Sequence, residues 1–253
     1  MPPNFWLALL LTTIAGLCTT IGSVIALFYS KPGANYMSFS LGFSAGVMIL
    51  ISFVELLPQG VDSLGFITAH IAFLLGMLLM LLIDVKVSHS YILEKPHIKR
   101  EEETNLRKTS LLIALGIAIH NFPEGMVTFA GTLKDIHLGF VLAFAIAIHN
   151  IPEGIAVAVP VYASTGSRRK AFTWSFLSGV SEPLGALMAG LILAPILNPA
   201  LLGWLLCLVA GFMVYISFDE LLPVARSYGK EHLSIAGLMF GVAVMALSLN
   251  LLR

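Results

Sequence analysis

Long apolar stretches separated by short polar joints run along almost the whole chain, near residues 4–29, 36–58, 66–84, 109–131, 137–162, 171–194, 200–223 and 232–252. Crossing the hydrocarbon of a bilayer takes about 20 apolar residues in a helix, since lipid offers the backbone no hydrogen bonds and a helix satisfies them internally. Each stretch therefore predicts one membrane-spanning helix, eight in all, and the fold class is an all-α integral membrane protein with one transmembrane domain over residues 1–253. The segment 85–108 breaks the pattern. It is neither periodic nor apolar, carries Glu101 to Glu103 among basic residues, and predicts a solvated loop. The first stretch has no basic residue before it and is longer than the apolar region of a signal peptide, so it is expected to stay as a helix, with no cleavable targeting segment.

Two of the apolar stretches carry the same polar interruption. Ile117-Ala118-Ile119-His120-Asn121-Phe122-Pro123-Glu124-Gly125 returns 29 residues later as Ile146-Ala147-Ile148-His149-Asn150-Ile151-Pro152-Glu153-Gly154, with a single position changed. A charged side chain at the bilayer centre costs about 2.5–3.5 kcal/mol on insertion scales, so a carboxylate there points to a site. A second duplication, at an offset of 165, relates Ile51-Ser52-Phe53-Val54-Glu55-Leu56-Leu57-Pro58 to Ile216-Ser217-Phe218-Asp219-Glu220-Leu221-Leu222-Pro223, with Ala45-Gly46 and Met48 mirrored by Ala210-Gly211 and Met213. The partners in each pair are an odd number of crossings apart and so run in opposite directions. That is the signature of an inverted repeat, as in many secondary transporters, which hold substrate near the midplane on interrupted helices. The predicted arrangement is 3+2+3: spans one to three mirrored by six to eight, with four and five as a mirrored pair between them.

Composition agrees: 58% of the residues are hydrophobic and 11% charged, against about 25% charged in soluble domains. The formal charge of zero hides an asymmetry. Sorted by side of the predicted membrane, Lys31, Lys86, Lys95, Lys99, Arg100, Arg107, Lys108, Arg168, Arg169, Lys170, Arg226 and Lys230 fall on one side, leaving Lys134 and Arg253 on the other. The positive-inside rule makes the first side cytoplasmic and puts both termini outside. The basic run Arg168 to Lys170 is then a topology determinant, and no nucleic-acid partner is expected. Cys18 and Cys207 both fall in predicted spans and read as small apolar groups.

On a helix, positions i, i+1 and i+4 lie at about 0, 100 and 40 degrees around the axis, so His120, Asn121 and Glu124 share a face, as do His149, Asn150 and Glu153. Where those faces meet they offer two imidazoles, two amide oxygens and two carboxylates, a donor set suited to a borderline divalent cation such as zinc, without the thiolates of a tight structural site. Pro123 and Pro152 cannot donate to the carbonyls of Ile119 and Ile148, which are thereby freed to help coordinate or hydrate an ion. Glu182, beside Pro183 in span six, is expected to add a third carboxylate. Glu55, Asp219 and Glu220 precede Pro58 and Pro223 near span ends, where a pathway role and a structural role are equally open. At about 3 kcal/mol each, burying these six acids bare would cost more than a typical domain's stability of about 5–15 kcal/mol, so they need protons, cations or water. His70, His137 and His232 lie near span ends without a matching partner and are left out of the site. Gly42-Phe43-Ser44-Ala45-Gly46 matches a serine-nucleophile pattern, but inside a span it fits helix packing, as does Gly237 with Gly241.

The doubled His-Asn-x-Pro-Glu-Gly segment, the eight spans, the outward termini and the basic loop after span three together resemble the ZIP (ZRT/IRT-like) metal transporters, especially bacterial zinc-uptake members. The resemblance covers essentially the whole chain. It implies a two-metal centre in which His120, Glu124, His149 and Glu153 line one position, while Asn121, Asn150 and Glu182 line the other with Glu124 and Glu153 bridging. It also implies import into the cytoplasm across a bacterial inner membrane, and a homodimer. The chain departs from many eukaryotic relatives in the loop 85–108, which has the scattered His89 and His97 instead of a histidine-rich run. The expected function is import of zinc, and of iron, manganese, cobalt and cadmium, by alternating access, with no enzymatic activity and no cofactor besides the transported ion. The alternative is an intramembrane zinc-dependent hydrolase, but the chain has no H-E-x-x-H, and its near-perfect duplication favours permeation over one-sided chemistry.

Overall fold

The computed structural model describes residues 3–28, 33–87 and 102–252, and every regular element among them is a helix. In chain order these are α1 (Phe5–Phe28), α2 (Ala34–Ile51), α3 (Leu57–Leu64), α4 (Phe66–Val87), α5 (Glu102–Lys134), α6 (Ile136–Thr165), α7 (Arg168–Met188), α8 (Pro199–Ile216), α9 (Leu222–Ser227) and α10 (Glu231–Leu252). Among the described residues seven helical stretches are long and apolar enough to cross a membrane, and the eighth predicted span, 109–131, lies within α5. Short polar joints set the ends. Asp135 caps α6 by accepting from the His137 amide at 2.7 Å, Asn198 caps α8 by accepting from the Leu201 amide at 2.9 Å, and Gly166 ends α6 with a left-handed φ of 63°.

Two expectations need correction. The segment 85–108 is not all loop: α4 continues to Val87 and α5 begins at Glu102. Glu102 and Glu103 sit where the helix dipole favours negative charge, and the leucine, arginine and lysine that follow are good helix formers. The remaining residues 88–101, with His89 and His97, lie outside the described residues, as do Lys31 and Arg253. Nor do the prolines of the doubled motif interrupt their helices, since α5 and α6 run on as α-helix through Pro123 and Pro152, and α7 through Pro183.

The chain is disturbed at three other prolines. Wide π-helical turns at Ser52–Leu56, Ala189–Leu193 and Ser217–Leu221 each end two residues before a proline, Pro58, Pro195 and Pro223. A widened turn relieves the clash between the proline ring and the carbonyl four residues back. The first and third copies match in detail at the offset of 165. Leu57 donates to Ser52 O as Leu222 does to Ser217 O, and the Ser52 and Ser217 hydroxyls donate to Met48 O and Met213 O, each at 2.7 Å.

The helices pack in two groups. α1, α5, α6 and α7 each touch the other three, whereas α2 packs on α10 and α4 on α8, with α3 and α9 alongside. The groups meet mainly where α2 lies on α6 and α5 on α8. Glycines set the close crossings. A Cβ at Gly42 or Gly46 of α2 would collide with the backbone of Ser234 or Leu238 on α10, and one at Gly237 or Gly241 of α10 with Phe39 or Phe43. This is the packing role expected of those glycines. Gly76 and Gly211 do the same between α4 and α8.

Candidate metal centre

α5 and α6 are joined through Asp135 alone, and His120 and His149 stand at nearly equal separations from it. A hairpin closed at Asp135 therefore sets the two copies of the motif face to face. The side chains cross over: His120 Nε2 lies 3.5 Å from Glu153 Oε2, and His149 Nε2 lies 3.3 Å from Glu124 Oε2. α7 and α1 close the other sides. Asn150 donates to Glu182 Oε1 and, at 2.9 Å, to the Ala15 carbonyl of α1. Asn121 donates at 3.5 Å to the Ser178 carbonyl of α7, one turn before Glu182. All seven predicted site residues, His120, Asn121, Glu124, His149, Asn150, Glu153 and Glu182, are thus carried by one four-helix group, and none is more than 2% exposed.

The polar atoms left over reveal what the cluster lacks. Asn121 Oδ1, Asn150 Oδ1, Glu124 Oε1, both oxygens of Glu153, Glu182 Oε2 and both imidazole Nδ1 atoms are buried without a hydrogen-bond partner among the described residues. Backbone carbonyls only accept, so they fix the orientation of both asparagine amides: the nitrogens point at Ala15 and Ser178 and the oxygens turn inward. An unsatisfied buried acceptor costs about 1–3 kcal/mol. So many in one place form a cluster of oxygen and nitrogen donor atoms that a divalent cation or water would satisfy, and the absence of thiolate among them keeps such a cation exchangeable. As the side chains stand, no three of the histidine and acidic groups among the described residues converge as a finished ligand shell. They stand in histidine–carboxyl pairs across the hairpin.

Of the other acids, Glu55 lies on the first π turn and accepts from Gln59 at 2.6 Å, while Asp219 and Glu220 lie on the third. Tyr215 OH lies 3.2 Å from Asp219 Oδ2 and 3.0 Å from Asp84 Oδ2. Asp84, 7% exposed in the last turns of α4, escaped the sequence reading, although an aspartate at the end of an otherwise apolar span was the available signal. His70 donates locally to Phe66 O and His137 bonds Leu252 O, so neither reaches the site.

The ZIP zinc transporter family matches residues 86–249. Proteins named zinc transporter ZupT are similar over nearly the full chain. The one from Chlorobium phaeovibrioides is 50% identical, with 97% of each chain covered. Those from Oceanobacillus iheyensis and Streptococcus mutans are 48% and 46% identical, covering 98% and 99% of this chain and 99% of their own. With its apolar helices and the matched motif in α5 and α6, this chain is a multi-pass membrane protein that belongs to the ZIP zinc transporter family.

Proposed function

We propose that the protein imports zinc, and with it iron, manganese, cobalt and cadmium, across a bacterial inner membrane by alternating access through the α5–α6 site. The observation that carries this is the set of buried oxygens on Asn121, Glu124, Asn150, Glu153 and Glu182 that have no hydrogen-bond partner among the described residues, gathered within the four-helix group α1, α5, α6 and α7 beside the two imidazoles. A zinc ion entering between the helices displaces the histidine–carboxylate pairs and takes His120, Glu124, His149 and Glu153 as ligands. A second position, between Asn121, Asn150 and Glu182, shares Glu124 and Glu153 as bridges. Exchange of one ligand pair for another lets the ion leave again, because Glu124 and Glu153 each have an imidazole to return to.

The 3+2+3 inverted repeat supplies the motion. Matched π turns and matched glycine crossings support it, and it allows the group that holds the site to rock against α2, α4, α8 and α10. Both termini lie outside the cytoplasm in this reading, and two copies associate as a homodimer. Membership of a transporter family argues against the intramembrane hydrolase. Influx of radioactive zinc into proteoliposomes tests the proposal. Glu124→Ala and Glu153→Ala are expected to abolish uptake while still reaching the membrane, and normal uptake by either removes the site assignment. Competition by the other four metals tests the selectivity.

A further inference from the structure

Glu182 of α7 has a counterpart on α1, the helix that crosses α7 at Gly16 and Gly179. Gly16-Leu17-Cys18-Thr19-Thr20-Ile21-Gly22 of α1 aligns with Gly179-Val180-Ser181-Glu182-Pro183-Leu184-Gly185 of α7 at an offset of 163. Contacts follow the same offset. A Cβ at Gly16 would strike the backbone of Gly179, and the reverse holds. A Cβ at Gly22 would strike Ile151 O and one at Gly154 would strike Thr19 O, just as Gly185 meets Phe122 O and Gly125 meets Glu182 O. Asn150 donates to the carbonyl of Ala15 as Asn121 does to that of Ser178, and these stand four residues before Thr19 and Glu182. Thr19 therefore occupies, relative to the doubled motif, the place that Glu182 occupies on the other side.

The Thr19 hydroxyl is fully buried and has no hydrogen-bond partner among the described residues. Buried threonines in apolar helices ordinarily donate to the carbonyl four residues back. Thr12, Thr128 and Thr132 of this chain do so, at 2.9, 2.9 and 2.7 Å. For Thr19 that carbonyl belongs to Ala15 and already accepts from Asn150. Thr20 also lacks a hydrogen-bond partner among the described residues, but it is only half-buried and aligns with Pro183, which is not a ligand-bearing residue. Building on the transport reading above, we infer that Thr19 is a further binding residue of the metal centre, whose hydroxyl offers a neutral oxygen to the second metal position from the helix paired with that of Glu182. The site is then symmetric in shape and asymmetric in charge. One side holds the ion with a carboxylate and the other with a hydroxyl, which keeps binding weak enough for release.

Two measurements test this on purified full-length protein: equilibrium zinc binding in detergent and zinc influx in proteoliposomes, for wild type, Thr19→Val, Thr19→Ser and Thr19→Glu. Valine keeps the shape without the hydroxyl, and is expected to weaken binding and raise KM about five- to tenfold, the worth of one oxygen contact, while serine restores both. Glutamate completes the symmetric set of carboxylates, and is expected to tighten binding and slow turnover together. Valine with unchanged zinc binding overturns the inference, as does serine failing to restore what valine loses. The binding arm reads out without flux. Absence of flux in wild type would sink the transport reading, whereas wild-type flux with an inert Thr19→Val would sink only the role of Thr19.

Discussion

Asn121 and Asn150 hold the same place in their copies of the motif, yet their bonds differ. Asn150 donates to both Ala15 O, at 2.9 Å, and Glu182, whereas Asn121 has one contact, to Ser178 O at 3.5 Å, at the limit of a hydrogen bond. Asn150→Leu removes the Glu182 carboxylate's amide donor and a second donor from the Ala15 carbonyl, which keeps its helical bond from the Thr19 amide, and is expected to cost about 2–3 kcal/mol, against about 1 kcal/mol or less for Asn121→Leu. Thermal unfolding in detergent should place the Asn150 variant clearly below the Asn121 variant, and equal midpoints would refute the difference. The seven residues of the candidate site were legible as a cluster because polar groups inside apolar runs are expensive and so stand out. Their anchors were not. Ala15 and Ser178 act through backbone carbonyls, which every residue has, and Thr19 among apolar neighbours reads as a threonine bonded to its own helix. Only the glycines at Gly16, Gly22, Gly179 and Gly185 marked its equivalence to Glu182.

At the scale of the helix, close crossings depend on glycines that leave no room for a side chain. Gly46→Ala and Gly241→Ala would drive a methyl group into the facing backbone of Leu238 and Phe43, where nothing flexible can yield, and each is expected to cost about 1–3 kcal/mol. Gly116 on α5 is the control. A Cβ there meets nothing within 4 Å, so Gly116→Ala is expected to be neutral or to stabilise by up to about 1 kcal/mol. Melting temperatures of the three variants check the contrast, and a destabilised Gly116→Ala or a neutral Gly46→Ala contradicts it. The long apolar helices were readable from the length of each apolar run, which lipid thickness dictates. Their irregularities were not. Proline alone does not say whether a helix bends, widens or continues, since α5 and α6 run through Pro123 and Pro152 while the turns before Pro58 and Pro223 widen. The outcome depends on which neighbours satisfy the freed carbonyl, a matter of tertiary packing.

For the molecule as a whole, the two packing groups interleave along the chain: α1, then α2 to α4, then α5 to α7, then α8 to α10. The matched segments could be read from the sequence, but not which helices group together, since a helix apolar on every side carries no sign of the face that meets protein instead of lipid. That grouping makes a mechanical prediction. If the site-bearing group moves against the rest, a bridge between groups stops transport and a bridge within one does not. The Ser44 hydroxyl on α2 donates at 3.3 Å to His149 O on α6, at the seam between groups, whereas the Phe43 and Phe240 rings, 6.0 Å apart, join α2 to α10 within one. With Cys18 and Cys207 replaced by serine, a short bifunctional thiol reagent would link Ser44→Cys with Ile148→Cys, or Phe43→Cys with Phe240→Cys. Zinc influx is expected to fall to background across the first bridge, to recover on reduction, and to persist across the second. Undiminished flux with the α2–α6 bridge in place would mean that the ion passes without relative motion of the groups, and the alternating-access reading would give way to a channel.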